Sequence, residues 1–277
     1  MDAGETTEQL VARLGTNCPP TLQNFAKIVN KLEADMNGEF TQAETKLFKD
    51  TMRDMFKKYD FATNTDARYL ENILDEHLKC QQETKSSGGM LNVNTRTQFS
   101  ELTFGTPKGT KAKDFEKYGF LTDKDLSKRE QADWYGGTTI RLKKDKVNAT
   151  FTIGDSLDDS DCLTPSLVTD PKINSLASQM GRMQWQDNAT LQKFSKAAKT
   201  SVTKTCKALC DTCYIELQYH GEVTADCIES IVFSSWQEAK KAKAAIKKAL
   251  ALKIPCYYIQ TINGKNSAVR LANTARL

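Results

Sequence analysis

Histidine is nearly absent: the 277 residues include two, His77 and His220. A histidine-rich metal site or a relay of several imidazoles is therefore excluded. Acid–base and binding chemistry must rest on carboxylates, hydroxyls, arginines or cysteines. No apolar run approaches the ~18 residues of a membrane-spanning helix. The first residues, Met1-Asp2-Ala3-Gly4-Glu5, are polar and acidic, so no secretory signal is expected. Glycine (14) and proline (6) are sparse, which excludes collagen-like and low-complexity architectures. Charge of one sign is also lacking: 39 Lys+Arg against 35 Asp+Glu leave a net +4. That is too balanced to mark a nucleic-acid binder by itself. The length suits one large domain or two modest ones.

Cysteine is the exception, with eight: Cys18, Cys80, Cys162, Cys206, Cys210, Cys213, Cys227 and Cys256. Without a secretory signal they are expected to be reduced. Cys206, Cys210 and Cys213 have the spacing by which radical enzymes hold an iron–sulfur cluster. Those enzymes place the triplet early in a barrel of repeated strand–helix units, and here only residues 214–277 follow it. A zinc site completed by Cys227 lacks a second C-x-x-C knuckle. The thiols are read as packing residues, and no metal is expected.

Residues 1–85 read as helical. Leu22, Phe25, Ile28, Val29 and Leu32 recur at helical spacing behind Pro19-Pro20. Thr41-Gln42-Ala43-Glu44 has the form of a capping box, with Leu47, Met52, Met55 and Phe56 following. Asp66–Cys80 reads as a third helix, and no strand is expected in this part. Ser86-Ser87-Gly88-Gly89 is the clearest break. Beyond it, strands are expected at Met90–Thr95, Thr138–Leu142, Ala149–Ile153, Tyr214–Tyr219, Ser230–Phe233 and Pro255–Ile259. A helix, Trp236–Leu252, separates the last two, and its lysines read as a solvated face. The fold class is α+β: a helical arm or bundle over 1–85, then a mixed-sheet domain over 90–277.

Glu216 stands out, a carboxylate between Ile215 and Leu217 in an apolar strand. Alternation puts Tyr214, Glu216, Gln218 and His220 on one face. Such a face is either a polar cleft wall or a solvated sheet surface. Thr150 and Thr152 share a face of another strand, and Gly154-Asp155-Ser156 turns just past its end.

Lys117–Leu121, Tyr135–Lys143, Ala149–Leu157 and Tyr214–Val223, with Asp226, Ile228 and Ile231-Val232-Phe233, form one set. The set resembles C-terminal domains of phage head-morphogenesis (minor capsid) proteins and related bacterial proteins. More loosely, it is similar to ADP-ribosyltransferase toxins, over roughly residues 90–260. The resemblance implies a sheet domain of the ADP-ribosyltransferase type, with NAD as substrate. It implies Glu216 as the catalytic carboxylate, propped by Thr150 and Thr152. It also implies an early-strand arginine on the pyrophosphate, Arg96 before Arg141, because Arg binds phosphate bidentately. Tyr214 and Gln218 flank Glu216 on the cofactor side. Tyr214 stands where enzymes that modify arginine often carry Glu, and Thr150-Phe151-Thr152 replaces the usual Ser-Thr-Ser.

The expectation is an NAD-dependent ADP-ribosyltransferase or NAD glycohydrolase acting on a protein target or host factor. It would work in the cytoplasm, as an effector or toxin delivered into a target cell. Two alternatives stand beside it. One is a ribonuclease-type toxin using His220 and Glu216 with Arg96 or Arg141. The other is a non-enzymatic phage-associated interaction module. Nucleic acid is not the favoured partner.

Overall fold

A computed structural model describes residues 4–34, 41–86, 92–128, 135–156, 164–176, 178 and 215–272. Eight helices are described: α1 Thr7–Leu14, α2 Pro20–Ala34, α3 Gln42–Lys58, α4 Leu70–Asp75, α5 Gln81–Thr84, α6 Val93–Phe104, α7 Trp236–Lys241 and α8 Lys243–Ala251. Nine strands form one sheet: β1 Asp60–Thr65, β2 Lys117–Thr122, β3 Thr138–Leu142, β4 Asn148–Ile153, β5 Ser166–Leu167, β6 Ile215–His220, β7 Ile228–Phe233, β8 Cys256–Ile262 and β9 Lys265–Leu271. Their spatial order is β5-β4-β6-β2-β1-β3-β7-β8-β9. Among the described strands only β7 and β8 run parallel, joined by the α7–α8 crossover; the other neighbours are antiparallel. The chain is thus α+β with a mixed sheet.

Three sequence expectations are corrected. Residues 1–85 are not wholly helical: β1 lies in the middle of the sheet, between β2 and β3. It follows α3 with no glycine or proline between them and is buried on both faces, so alternation does not announce it. Of the expected strand at Met90–Thr95, Asn92 is instead the cap of α6 and Val93–Thr95 its first turn, while Met90 and Leu91 lie outside the described residues. The Asn92 side chain accepts from the Thr95 N–H at 2.9 Å, and Gly105 closes the helix at φ 60°. Arg96, Phe99, Ser100, Thr103 and Phe104 are its buried residues, the i, i+3, i+4, i+7, i+8 stripe of an amphipathic helix. Arg96 therefore stands on a helix. The expected helix Trp236–Leu252 breaks at Ala242 into α7 and α8.

Both faces of the sheet are covered. Phe61, Ile140, Phe151, Leu217, Tyr219, Ile231 and Phe233 face α3, α4 and α8 across the larger core. On the other face, α1, α2 and α6 bring Leu10, Leu22, Phe25, Phe99 and Phe104 into a second core with Leu167. Every residue of β6 is consequently buried. That face is therefore no solvated surface: Gln218 and His220 lie beneath the second helical layer, and Glu216 is buried beside them at the edge of a cleft.

The sheet is open at its centre. β1 and β2 pair from Asp60↔Thr122 to Ala62↔Phe120 and no further. Beyond that point β1 stays with β3 as far as Thr65↔Thr138, and β2 stays with β6 as far as Lys117↔Tyr219. Tyr219 reaches the fork, where its hydroxyl donates to the Ala62 carbonyl at 3.0 Å. Gly119 lets the ring pass: a Cβ there would lie 2.2 Å from the Ala62 oxygen and 2.5 Å from a Tyr219 ring carbon. Because one obstacle is backbone, Gly119→Ala is expected to destabilise the protein by about 1–3 kcal/mol. Its thermal midpoint should fall by several degrees, and an unchanged midpoint would contradict this account of the fork.

Candidate active-site cleft

A cleft of about 230 Å³ occupies the fork. Thr63-Asn64-Thr65 of β1 form one side and Lys117–Phe120 of β2 the other. Arg96 from α6, Cys80 and Gln81 at the start of α5, Tyr135 and Glu216 also line it.

Glu216 stands in register with Phe120 on one side and Thr152 on the other. It is 4% exposed. Its Oε1 accepts from the Ser156 hydroxyl and from Gln218 Nε2, the latter at 3.0 Å. Burial, reinforced by the nearby Asp155 carboxylate, pushes the Glu216 carboxyl up to about 7. The bonds from Ser156 and Gln218 and the charge of Arg96 pull the other way and offset part of that.

Arg96 is 6% exposed. Its guanidinium lies 4.5 Å from the centre of the Tyr118 ring. Two of its nitrogens, Nε and Nη1, are buried without a hydrogen-bond partner. Burial opposes its charge, but Tyr118, Glu216 and Asp155 outweigh burial and hold it protonated. Tyr118 is fixed in turn: its hydroxyl donates to Glu116 Oε1 at 2.8 Å, and Ser100 donates to Glu116 Oε2 at 2.8 Å. The Glu116 carboxyl is fully enclosed, and burial raises it. A buried guanidinium with unmade hydrogen bonds is expensive unless an anion completes it.

The other expected site residues have different roles. Thr150, Thr152, Gln218 and His220 share the sheet face of Glu216 but sit behind it, outside the cleft lining. His220 is bonded at both ring nitrogens, by Thr21 at 2.7 Å and Thr150 at 2.9 Å. Burial, with the charge of Lys117, lowers its imidazole to about 3. An imidazole so held is neutral at physiological pH and stands outside the cleft lining, so the geometry does not favour the ribonuclease reading.

Arg141 is an ion-pair residue rather than a cofactor ligand. Its Nη1 meets Asp60 at 2.7 Å and its Nη2 donates to the Asp123 carbonyl at 2.7 Å. Tyr214 and the triplet Cys206, Cys210 and Cys213 lie outside the described residues. The described thiols Cys18, Cys80, Cys227 and Cys256 are free and buried. Burial pushes Cys80 to about 11 and Cys256 to about 12, as suits packing thiols.

The residues not singled out from sequence are Tyr118, Glu116 and Thr21. Glu116-Lys117-Tyr118 carried a signal, since an acidic and a basic residue enter a strand that proves buried on both sides. No protein-family model, no curated protein and no solved structure matches the chain. No described helix is long and apolar enough to cross a membrane.

Proposed function

We propose that the cleft breaks the bond between nicotinamide and ribose in NAD. ADP-ribose passes to an acceptor on a macromolecular target, or to water. One observation carries this reading: a buried carboxyl, Glu216, and a buried guanidinium with two unpartnered nitrogens, Arg96, line a single cleft at a fork in the sheet. The cleft has room for a nucleoside-sized portion of the dinucleotide; the rest extends outward.

The chemistry follows from the charges. As C1′–N breaks, the bonding electrons leave with the pyridinium nitrogen, nicotinamide departs neutral, and the ribose gains oxocarbenium character. The ionised carboxylate of Glu216 stabilises that charge and holds a ribose hydroxyl. Preorganised electrostatics of this kind act strongly in a dry site. Arg96, stacked on Tyr118, supplies the positive charge that takes the pyrophosphate. The acceptor nucleophile then bonds to C1′ and releases its proton. The mixed sheet, with Thr150 and Thr152 beside the Glu216 strand, supports an ADP-ribosyltransferase-type fold. A role as a phage-related effector or toxin rests on the sequence resemblance.

The ionised carboxylate is the working form, so turnover should follow its titration. NAD cleavage (kcat/KM) is expected to climb about tenfold per pH unit below pH 7 and to level off above it. A profile flat from pH 5 to 8 would exclude Glu216 in this role.

A further inference from the structure

We propose that Gln218 is the positioning residue for Glu216, and that a one-way hydrogen-bond chain from Thr21 on α2, through His220 and Thr150, locks its amide in that orientation. The inference rests on the reading of Glu216 as the working carboxylate, and it concerns how the fold aims that group.

The direction follows from counting protons. At one end the Gly154 carbonyl can only accept, and the Thr152 hydroxyl lies 3.0 Å from it. The single Thr152 proton is spent there, so Thr152 Oγ1 must accept from Gln218, 3.2 Å away. Gln218 therefore directs its NH₂ toward Thr152, and the second N–H reaches Glu216 Oε1 at 3.0 Å. The amide oxygen is left for Thr150, whose hydroxyl donates to it at 2.9 Å. With its proton committed, Thr150 accepts from His220 Nε2 at 2.9 Å. Neutral imidazole carries one N–H, so His220 Nδ1 accepts from the Thr21 hydroxyl at 2.7 Å. Every proton along the chain is used once. Flipping the Gln218 amide would set its oxygen against the Glu216 carboxylate and the Thr152 lone pairs, and its NH₂ against the Thr150 proton.

The chain is sealed from water. Thr21, Thr150, Thr152 and Gln218 are all fully buried, and the Phe104 ring packs edge-on to His220 at 5.0 Å. In such surroundings, linked hydrogen bonds strengthen one another and a broken link is costly. Both bonds recorded for Glu216 fall on Oε1, so the chain fixes which oxygen is held and which is left for a ligand. Its outer end lies on α2, which makes the N-terminal helical layer a support of the site rather than a detachable arm. Arg96 from α6, Tyr118 from β2 and Asp155 after β4 act electrostatically on the same carboxyl. The position of its titration therefore reports the loss of a single donor.

Two readings independent of NAD test the proposal on the full chain. In ¹⁵N-histidine-labelled protein, His77→Gln leaves His220 as the only imidazole. Its proton should sit on Nε2, with no titration between pH 5 and 8. A proton on Nδ1, or a titration in that range, overturns the chain. In ¹³C-carboxyl spectra, Gln218→Met and Thr150→Val should each move the Glu216 titration upward, the first by about one pH unit. His220→Gln, which keeps an N–H near the Nε2 position, should leave it close to wild type. A wild-type titration in Gln218→Met overturns the proposal, and if that variant does not fold, the wild-type His220 proton decides alone. NAD turnover enters none of these readings, so the absence of turnover would count against the proposed function and leave the chain standing.

Discussion

Glu216→Gln is expected to lower NAD turnover by about 10²–10³-fold and, above neutral pH, to make the protein more stable. The first effect follows because glutamine keeps the shape and the acceptor oxygen but cannot balance a developing positive charge. The second follows from linkage. The folded carboxyl titrates near 7, above its ordinary value of 4.5, so the folded protein holds this proton more tightly than the unfolded chain. The stabilising contribution is complete below about pH 4.5 and is lost as the pH rises through 7. At pH 8 the buried, ionised Glu216 costs about 3 kcal/mol relative to a neutral isostere. Thermal melts should show the variant above wild type at pH 8 and level with it near pH 5. A variant that melts lower at pH 8 would mean that Arg96 and the surrounding donors compensate the carboxylate fully.

Arg96→Met should raise KM for NAD by about 10–100-fold, with a smaller fall in kcat. That is the scale of losing a charge-assisted hydrogen-bonded pair, made to substrate and transition state alike. Methionine keeps a long apolar stem over Tyr118, and it removes two buried donors that have no protein partner, so the fold should tolerate it. Arg96→Lys should recover only part of the affinity, because an ammonium neither stacks flat on the ring nor presents a planar fork. The pH profile of Arg96→Met should also shift upward, since the guanidinium charge helps hold the Glu216 carboxyl down. An unchanged KM in Arg96→Met would remove the anion-binding role.

The sequence carried the Glu216 strand and its neighbours well. β3, β4, β6, β7 and β8 begin and end within two or three residues of the expected runs, because each has β-branched or aromatic residues bounded by turn signals. It carried β1 and α6 badly, for opposite reasons. β1 is Asp-Phe-Ala-Thr-Asn-Thr, short and weakly patterned, and its burial depends on partners more than fifty residues away in the chain. Before α6, Leu91-Asn92-Val93-Asn94 imitates a strand, while the Asn92 cap and the 96-99-100-103-104 stripe announce a helix.

The site was legible in its members more than in its geometry. Glu216 and Arg96 share one cleft, but Arg141, equally basic and on an early strand, is consumed by Asp60. The resemblance ranked Arg96 before Arg141 by spacing and placed it on a strand; the structure puts it on a helix, and the physical difference between the two lies in which one finds a carboxylate partner in three dimensions. The scarcity of histidine turned attention to Glu216, the threonines and the arginines, and alternation kept His220 beside them as a candidate; its burial between two hydroxyls is what alternation does not show.

The most direct measurement is release of nicotinamide from labelled NAD by the purified full chain, with and without cell lysate, beside Glu216→Gln. The account predicts nicotinamide release by the wild-type protein, with label transferred to a macromolecule when lysate is present and free ADP-ribose formed otherwise. Both should be lost in the variant. Intact NAD in every wild-type reaction at pH 8, or release that persists undiminished in Glu216→Gln, would contradict it.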